Sequence, residues 1–174
     1  EGINLSTFID ASKETLRGGI NVQNPNYKFS GNALDYQIST SKNEKPDSGF
    51  SNNVITTGIG TTFEQYRDIY LAPSITLEFD DLEVDDTASK GLKSQAGQFS
   101  DLSFKYGITS DKRDRSFMPR SGHIVGFMQS LPMYSDVPVI GNTLDIKKYN
   151  SFGPNVVGPF KFFASSVNGL DEDV

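Results

Sequence analysis

The sequence predicts an all-β fold: an antiparallel up-and-down meander that is part of a transmembrane β-barrel. Apolar and polar residues alternate with period two in about nine segments, the pattern of strands with two different faces. The clearest segments reach the roughly 9–11 residues that a strand needs to cross a bilayer, whereas strands of globular proteins commonly have about five or six. The connectors alternate as well, with short turns at one end of the meander and longer polar loops at the other.

The strands are predicted in chain order from this alternation. In residues 69–80, Leu71 and Ile75 point to one face of the predicted sheet. Glu78 points to the other face, and residues 101–109 alternate in the same way. The remaining predicted strands are residues 3–11, 16–23, 34–39, 54–63, 123–131, 141–149 and 160–167.

Connectors rich in turn-forming residues separate these strands. Short turns are predicted at residues 24–31, 64–68, 115–122 and 153–159, and the opposite end carries residues 12–15, 41–53, 81–98 and 132–138. Two connectors of the second set are long and polar, as the outer loops of membrane barrels are. Residues 87–98 contain at most short helix fragments.

Composition excludes several classes of protein. The 22 acidic and 16 basic residues give a net charge of −6, which argues against a nucleic-acid partner. The absence of cysteine excludes a disulfide scaffold and a thiolate zinc site. No apolar run approaches the roughly 20 residues of a transmembrane helix, so a soluble protein and a membrane barrel remain. The sequence begins without a signal peptide and is expected to be an excerpt of a longer protein.

The candidate catalytic and metal-binding residues are better explained as parts of a barrel. His123 is the only histidine, and it is predicted to be a solvated residue at the rim. The acidic residues within 80–86 lack the spacing of an EF-hand and are predicted to form a solvated loop. Asp35 and Glu78 could in principle form a glycosidase pair, but alternation equally places them on a barrel wall. No enzymatic activity, cofactor or metal is therefore predicted.

Residues 101–131 carry the most specific pattern of the chain. An alternating strand ends in Tyr-Gly, polar residues follow, and then come an Asp-Arg pair, an aromatic residue, a proline and a glycine. These residues are Tyr106, Gly107, Asp114, Arg115, Phe117, Pro119 and Gly122. The pattern resembles the barrel of the BamA-type outer-membrane β-barrel assembly factors, the bacterial surface antigen family. The sequence Asn-Pro-Asn-Tyr at residues 24–27 resembles the turn of an earlier hairpin of that barrel.

The same turn has a physical interpretation of its own. Pro119 has a fixed φ and no N–H donor, which suits a turn and not a central strand. Gly122 can take a positive φ before the next strand. Phe117 is expected in the aromatic girdle at the membrane interface. Asp114 and Arg115 are expected to pair or to bind backbone groups at the rim.

The resemblance implies a sixteen-stranded barrel with periplasmic domains before it. Residues 1–174 would then be a partial outer-membrane β-barrel domain of about nine strands, with no periplasmic domain included. The whole protein would fold and insert other outer-membrane proteins in a Gram-negative bacterium. Its implied partners are membrane lipid, unfolded outer-membrane protein clients and accessory assembly lipoproteins.

Two alternatives to this function remain open at the level of sequence. Within membrane proteins, the chain could belong to a related translocation pore or a porin. In a different class, it could be a soluble β-sandwich that binds carbohydrate, because a sandwich also alternates apolar and polar residues.

About nine strands with the curvature of a larger barrel leave two unpaired edges, so residues 1–174 alone are predicted not to insert as a stable monomer.

Overall fold

The computed structural model describes residues 2–29, 31–154 and 156–170. Within them the chain forms one sheet of nine antiparallel strands, in which each strand pairs with the next along the sequence. The strands are β1 Asn4–Ala11, β2 Thr15–Asn24, β3 Ala33–Lys45, β4 Phe50–Tyr66, β5 Ile69–Val84, β6 Gly97–Asp111, β7 Gly122–Ser135, β8 Val139–Gly153 and β9 Val156–Gly169. This order confirms the predicted meander.

All nine predicted strands are present, but several extend well beyond their predicted bounds. β3 continues to Lys45 and β4 begins at Phe50, so most of the loop predicted at residues 41–53 is paired backbone. β5 likewise continues to Val84. Residues 40–45 of β3 are polar on both faces. The apolar residues of the other extensions, Phe50, Leu82 and Val84, lie on the face opposite to Leu71, so these extensions do not continue the alternation from which the strands are inferred. Their backbone hydrogen bonds continue nevertheless, because strand pairing does not depend on side-chain polarity.

The connections divide between the two ends of the sheet. The loop end holds the β1–β2, β3–β4, β5–β6 and β7–β8 connections, and the turn end holds the other four. The predicted difference in connector length is wrong as a general rule, since residues 112–121 at the turn end form one of the longer connections. What distinguishes the loop end is the β5–β6 connection, which contains the short helix α1 Lys90–Lys93.

The β5–β6 connection is packed against the neighbouring β3–β4 turn. Gly49 has φ +71°, and a Cβ atom there would lie 2.4 Å from Asp85 Oδ1. The Asp85 N–H donates to the Gly49 carbonyl at 2.9 Å. Bonds from the Thr87 hydroxyl and then its backbone N–H lower the pKa of the Asp85 carboxyl below its ordinary value. The acidic run is therefore partly an ordered turn and not a fully solvated loop.

No second layer packs on the sheet within the described part of the chain. Of the described residues with side chains, only Thr76 and Ala88 are buried, at 4% and 8% exposure. In residues 2–29, 31–154 and 156–170, no helix has the length and apolar character needed to span a bilayer. The same residues contain no cluster of three or more side chains able to hold a metal ion.

Candidate functional site

The two faces of the sheet differ in chemistry. The outer face is the one that carries Leu71, Ile75 and Phe79 on β5, and the inner face carries the residues between them. The strand register aligns outer-face residues across seven strands. This apolar row consists of Leu5, Val22, Tyr36, Ile59, Ile75, Phe104 and Leu131.

No described residue of the chain packs over the apolar row. Ile59 is 43% exposed and Ile75 is 42% exposed, although both lie at the centre of the sheet. Thr76, the neighbour of Ile75 on the inner face, is 4% exposed, so the inner face is the more enclosed one there. A β-sandwich would cover the apolar face with a second sheet. In the described residues that sheet does not exist, which removes the structural basis of the carbohydrate-binding alternative.

The inner face is lined by hydrogen-bonded polar groups. Gln23 donates to Asp35 at 2.8 Å, and the Thr56 hydroxyl donates to Glu78 at 3.2 Å. In the register, Asp35 aligns through β4 with Ser74 of β5, four residues before Glu78. That offset is about 13 Å along the strand, beyond the roughly 5–9.5 Å between the carboxylates of a glycosidase pair. The two carboxylates are therefore separate parts of the wall.

Residues 112–121 at the turn end form an ordered turn that Asp114 holds together. Its Oδ1 accepts the backbone N–H groups of Arg120 at 2.9 Å and Ser121 at 3.2 Å. Gly122 follows with φ +93°, and Met118 at the tip has φ +50°. At the start of the turn, Arg113 makes a bidentate pair with Asp111 at 2.8 and 2.6 Å.

Arg120 connects this turn to its neighbour at the turn end. Its guanidinium donates to the carbonyl of Gly153 at 3.0 Å and also to the carbonyl of Pro154. Arg120 was not among the predicted site residues, because the contact joins residues more than thirty positions apart. The only signal in the sequence was an arginine inside the Pro-to-Gly segment of the motif.

The structure separates the predicted motif residues into different places. Tyr106 lies on the outer face, where it faces Gln129, and Gly107 lies on the inner face, where it faces Met128. Phe117 is 80% exposed at the tip of the turn. Arg115 is exposed and lies 3.7 Å from Asp114. Asp114 holds the turn, Pro119 lies within its last three residues, and Gly122 begins β7. Their functional importance stays a prediction.

Loss of the Asp114 contacts at low pH is a testable consequence. Partial burial raises the pKa of the Asp114 carboxyl, but the N–H donors of Arg120 and Ser121 outweigh it, and the pKa lies below its ordinary value. A lowered pKa stabilises the turn above the ordinary Asp value of about 3.9, and this stabilisation is lost as pH falls through the folded-state pKa. Hydrogen exchange of residues 112–121 is expected to accelerate below about pH 4, after correction for intrinsic rates. The Asp114→Asn variant should lose this acceleration at the amides of Arg120 and Ser121, which Asp114 binds directly.

A second feature of the outer face is a line of polar side chains among the apolar ones. Tyr106 Oη donates to Gln129 Oε1 at 2.7 Å, and Gln129 Nε2 donates to Asn142 Oδ1 at 2.6 Å. Asn142 Nδ2 then donates to Ser166 Oγ at 3.4 Å. The four residues lie opposite one another on β6 to β9. Together they satisfy polar groups that would be costly if left unpaired in hydrocarbon.

A double-mutant cycle tests this polar line. Gln129→Ala leaves the Tyr106 hydroxyl and the Asn142 amide without their partner, and Asn142→Ala interrupts the same line. We expect the double variant to lose less unfolding free energy than the sum of the singles, with a coupling of about 0.6–1 kcal/mol. Urea titration in bilayers, followed by heat-modifiable gel migration, measures it. Additive losses would show that the two side chains act independently.

Comparison with known families identifies the sheet. The model of the Omp85 superfamily domain matches residues 1–172. The chain belongs to the Omp85 superfamily. The resemblance to BamA-type barrels is thereby confirmed at the level of the family. No curated protein sequence matches this Omp85 chain.

The fold of this Omp85 chain is also that of a solved barrel. The sheet is similar to the crystal structure of BamA from Haemophilus ducreyi lacking POTRA domains 1–3, with a TM-score of 0.79 and 12% sequence identity. The match covers 97% of this chain and 36% of that chain. The chain thus spans about a third of that structure. At this identity the likeness establishes the fold, and the nine strands correspond to one wall of a barrel.

Proposed function

We propose that this Omp85 sheet is one wall of a transmembrane barrel in the outer membrane of a Gram-negative bacterium. The observation that carries the proposal is the apolar outer-face row, which crosses seven strands and is not covered by any other layer of the described chain. Hydrocarbon tails are the environment that tolerates such a row, while the polar inner face lines an aqueous lumen. Membership of the Omp85 superfamily supports the same assignment. In this assignment the turn end faces the periplasm.

We propose further that the whole protein folds and inserts other outer-membrane proteins and is not an enzyme. Its partners would be unfolded barrel proteins, membrane lipid and accessory lipoproteins. The structural likeness to BamA and the family support this function over that of a passive porin. Residues 1–174 would contribute the wall and its outer loops, and the family turn motif from Tyr106 to Gly122 would shape the periplasmic rim.

The test uses the full-length protein that carries this sheet, reconstituted in liposomes. An unfolded eight-stranded outer-membrane protein is added, and its insertion is followed by heat-modifiable gel migration. An insertase should raise the folding rate above that in empty liposomes. A translocation pore or porin would instead give membrane conductance without any gain in client folding, and that result would contradict the proposal.

The nine strands are expected not to insert alone. β1 and β9 each pair on one side only among the described residues, so both outer edges expose unpaired backbone groups. Residues 1–174 refolded without the rest of the barrel should aggregate or remain sensitive to protease in detergent. Recovery of a dispersed, heat-modifiable monomer would show that the edges need no further strands.

A further inference from the structure

Basic side chains form a row at the edge of the apolar outer face, close to the turn end. The Lys112 N–H donates to the His123 carbonyl at 2.8 Å, which places Lys112 opposite His123. His123 lies opposite Lys148, and Lys148 lies opposite Phe160. Lys112, His123 and Lys148, with the aromatic Phe160 at the end, are called the basic row. Alternation places them on the same face as Val125 and Ile146, two positions along their strands.

Within the part of the chain that the structure describes, the two lysines of the basic row have no acidic partner. Neither Lys112 nor Lys148 takes part in an ion pair among the described residues, and both side chains are exposed. By contrast, Lys147 on the inner face pairs with Asp145 at 3.2 Å. Basic groups on neighbouring strands repel one another when no anion lies between them. The basic row therefore favours an anion from outside the protein.

The dimensions of the row suit one phosphate group. Lys112 and Lys148 lie two strands apart, which is about 10 Å. Two lysine side chains can converge on one oxyanion over that span, and the His123 imidazole between them supplies an N–H donor. Lysines at this depth extend their ammonium groups to the membrane surface while their stems stay on apolar residues.

The neighbouring surface suits an acyl chain. Val125, Ile146 and Phe162 lie opposite one another in the row immediately towards the centre of the sheet. Beyond them a shallow hollow is lined by residues that include Leu144 and the small Ala164. An anionic headgroup on the basic row would thus place the first part of its tails on two apolar rows, which end at the polar line through Asn142 and Ser166.

We propose that the basic row is a binding site for the headgroup of an anionic phospholipid of the membrane leaflet at the turn end. The inference rests on the proposed outer-membrane location. The ligand is identified by its chemistry: a phosphodiester that carries a net negative charge, attached to acyl chains. A zwitterionic phospholipid carries its own ammonium group, which the lysines repel, so it binds more weakly.

The test is native mass spectrometry of the full-length protein in detergent micelles, titrated with dioleoyl phosphatidylglycerol or dioleoyl phosphatidylcholine. We expect phosphatidylglycerol to bind more tightly. The double variant Lys112→Gln with Lys148→Gln should lose about ten-fold in phosphatidylglycerol affinity and little in phosphatidylcholine affinity. The double variant Lys112→Arg with Lys148→Arg should retain the preference, since it keeps both charges.

A matched control separates a site from general attraction. Lys13→Gln with Lys90→Gln removes the same charge at the loop end and should leave the affinity for phosphatidylglycerol within about two-fold of the parent. Equal losses in the two double variants, or no preference for the anionic lipid, would overturn the site. The measurement needs only a folded barrel, which heat-modifiable migration verifies. A negative result therefore leaves the client-insertion assay as a separate test of the proposed function.

Discussion

Replacement of Ile38 by arginine is expected to lower the free energy of unfolding in bilayers by about 2–4 kcal/mol. Ile38 lies on the outer face of β3 between Ile20 and Thr57, and its side chain is 52% exposed. If lipid covers this face, an arginine there must place its charge in hydrocarbon or distort the bilayer to reach water. Urea titration in liposomes, followed by heat-modifiable gel migration, measures the change.

The matched control is the adjacent residue, Gln37. A step of one residue along a strand reverses the face, so Gln37 lies on the inner face, opposite Asn21 and Gly58. Gln37→Arg introduces the same charge one position away, and we expect a change within about 0.5 kcal/mol because the lumen is aqueous. Equal effects at the two positions would contradict a lipid-facing outer surface and with it the proposed membrane location.

Substitution of Gly122 by alanine is expected to cost about 2–4 kcal/mol of unfolding free energy. Gly122 has φ +93°, a backbone angle that residues with a side chain rarely adopt. A Cβ atom there would lie 2.1 Å from the Lys112 carbonyl oxygen. The next atom that this Cβ would meet is Arg113 Cα at 2.9 Å. Both atoms belong to the backbone, so neither can move aside as the end of a flexible side chain could. The strand or the turn must therefore move, and the Asp114 contacts with Arg120 and Ser121 move with it.

Gly153 provides the control for the glycine substitution, since it lies in the neighbouring turn-end hairpin. A Cβ atom on Gly153 would meet no atom within 4 Å, and its φ is not in the left-handed region. Gly153→Ala should change stability by less than about 0.5 kcal/mol. The same urea titration compares the two variants. A Gly122→Ala protein as stable as Gly153→Ala would show that the turn is not fixed by this glycine.

The sequence predicted the strands best where one face of the sheet is apolar and meets lipid while the other face is polar and lines the lumen. Alternation in residues 69–80 and 101–109 located β5 and β6 because their two faces lie in different solvents. The same reasoning missed the continuation of β3 to Lys45, where both faces are polar. Strands that project beyond the bilayer lose the alternation of apolar and polar residues but keep their backbone hydrogen bonds. Their full length could therefore not be inferred from the sequence pattern.

The candidate site was predictable only in its local part. Asp114, Pro119 and Gly122 could be singled out, because a turn is specified by residues close in sequence. Arg120 could not be assigned its contacts with Gly153 and Pro154, because those depend on how two hairpins lie side by side.

The sequence by itself determined an antiparallel meander with one apolar face, since period-two alternation and the positions of turn residues are local properties of the chain. Tertiary structure decided that nothing in the described chain covers that face. It also decided which residues meet across strands: the polar line from Tyr106 to Ser166 and the basic row from Lys112 to Phe160. The physical reason is register. Hydrogen bonding between strands sets which residues are opposite, and a shift of one residue would move every side chain of a strand to the other face.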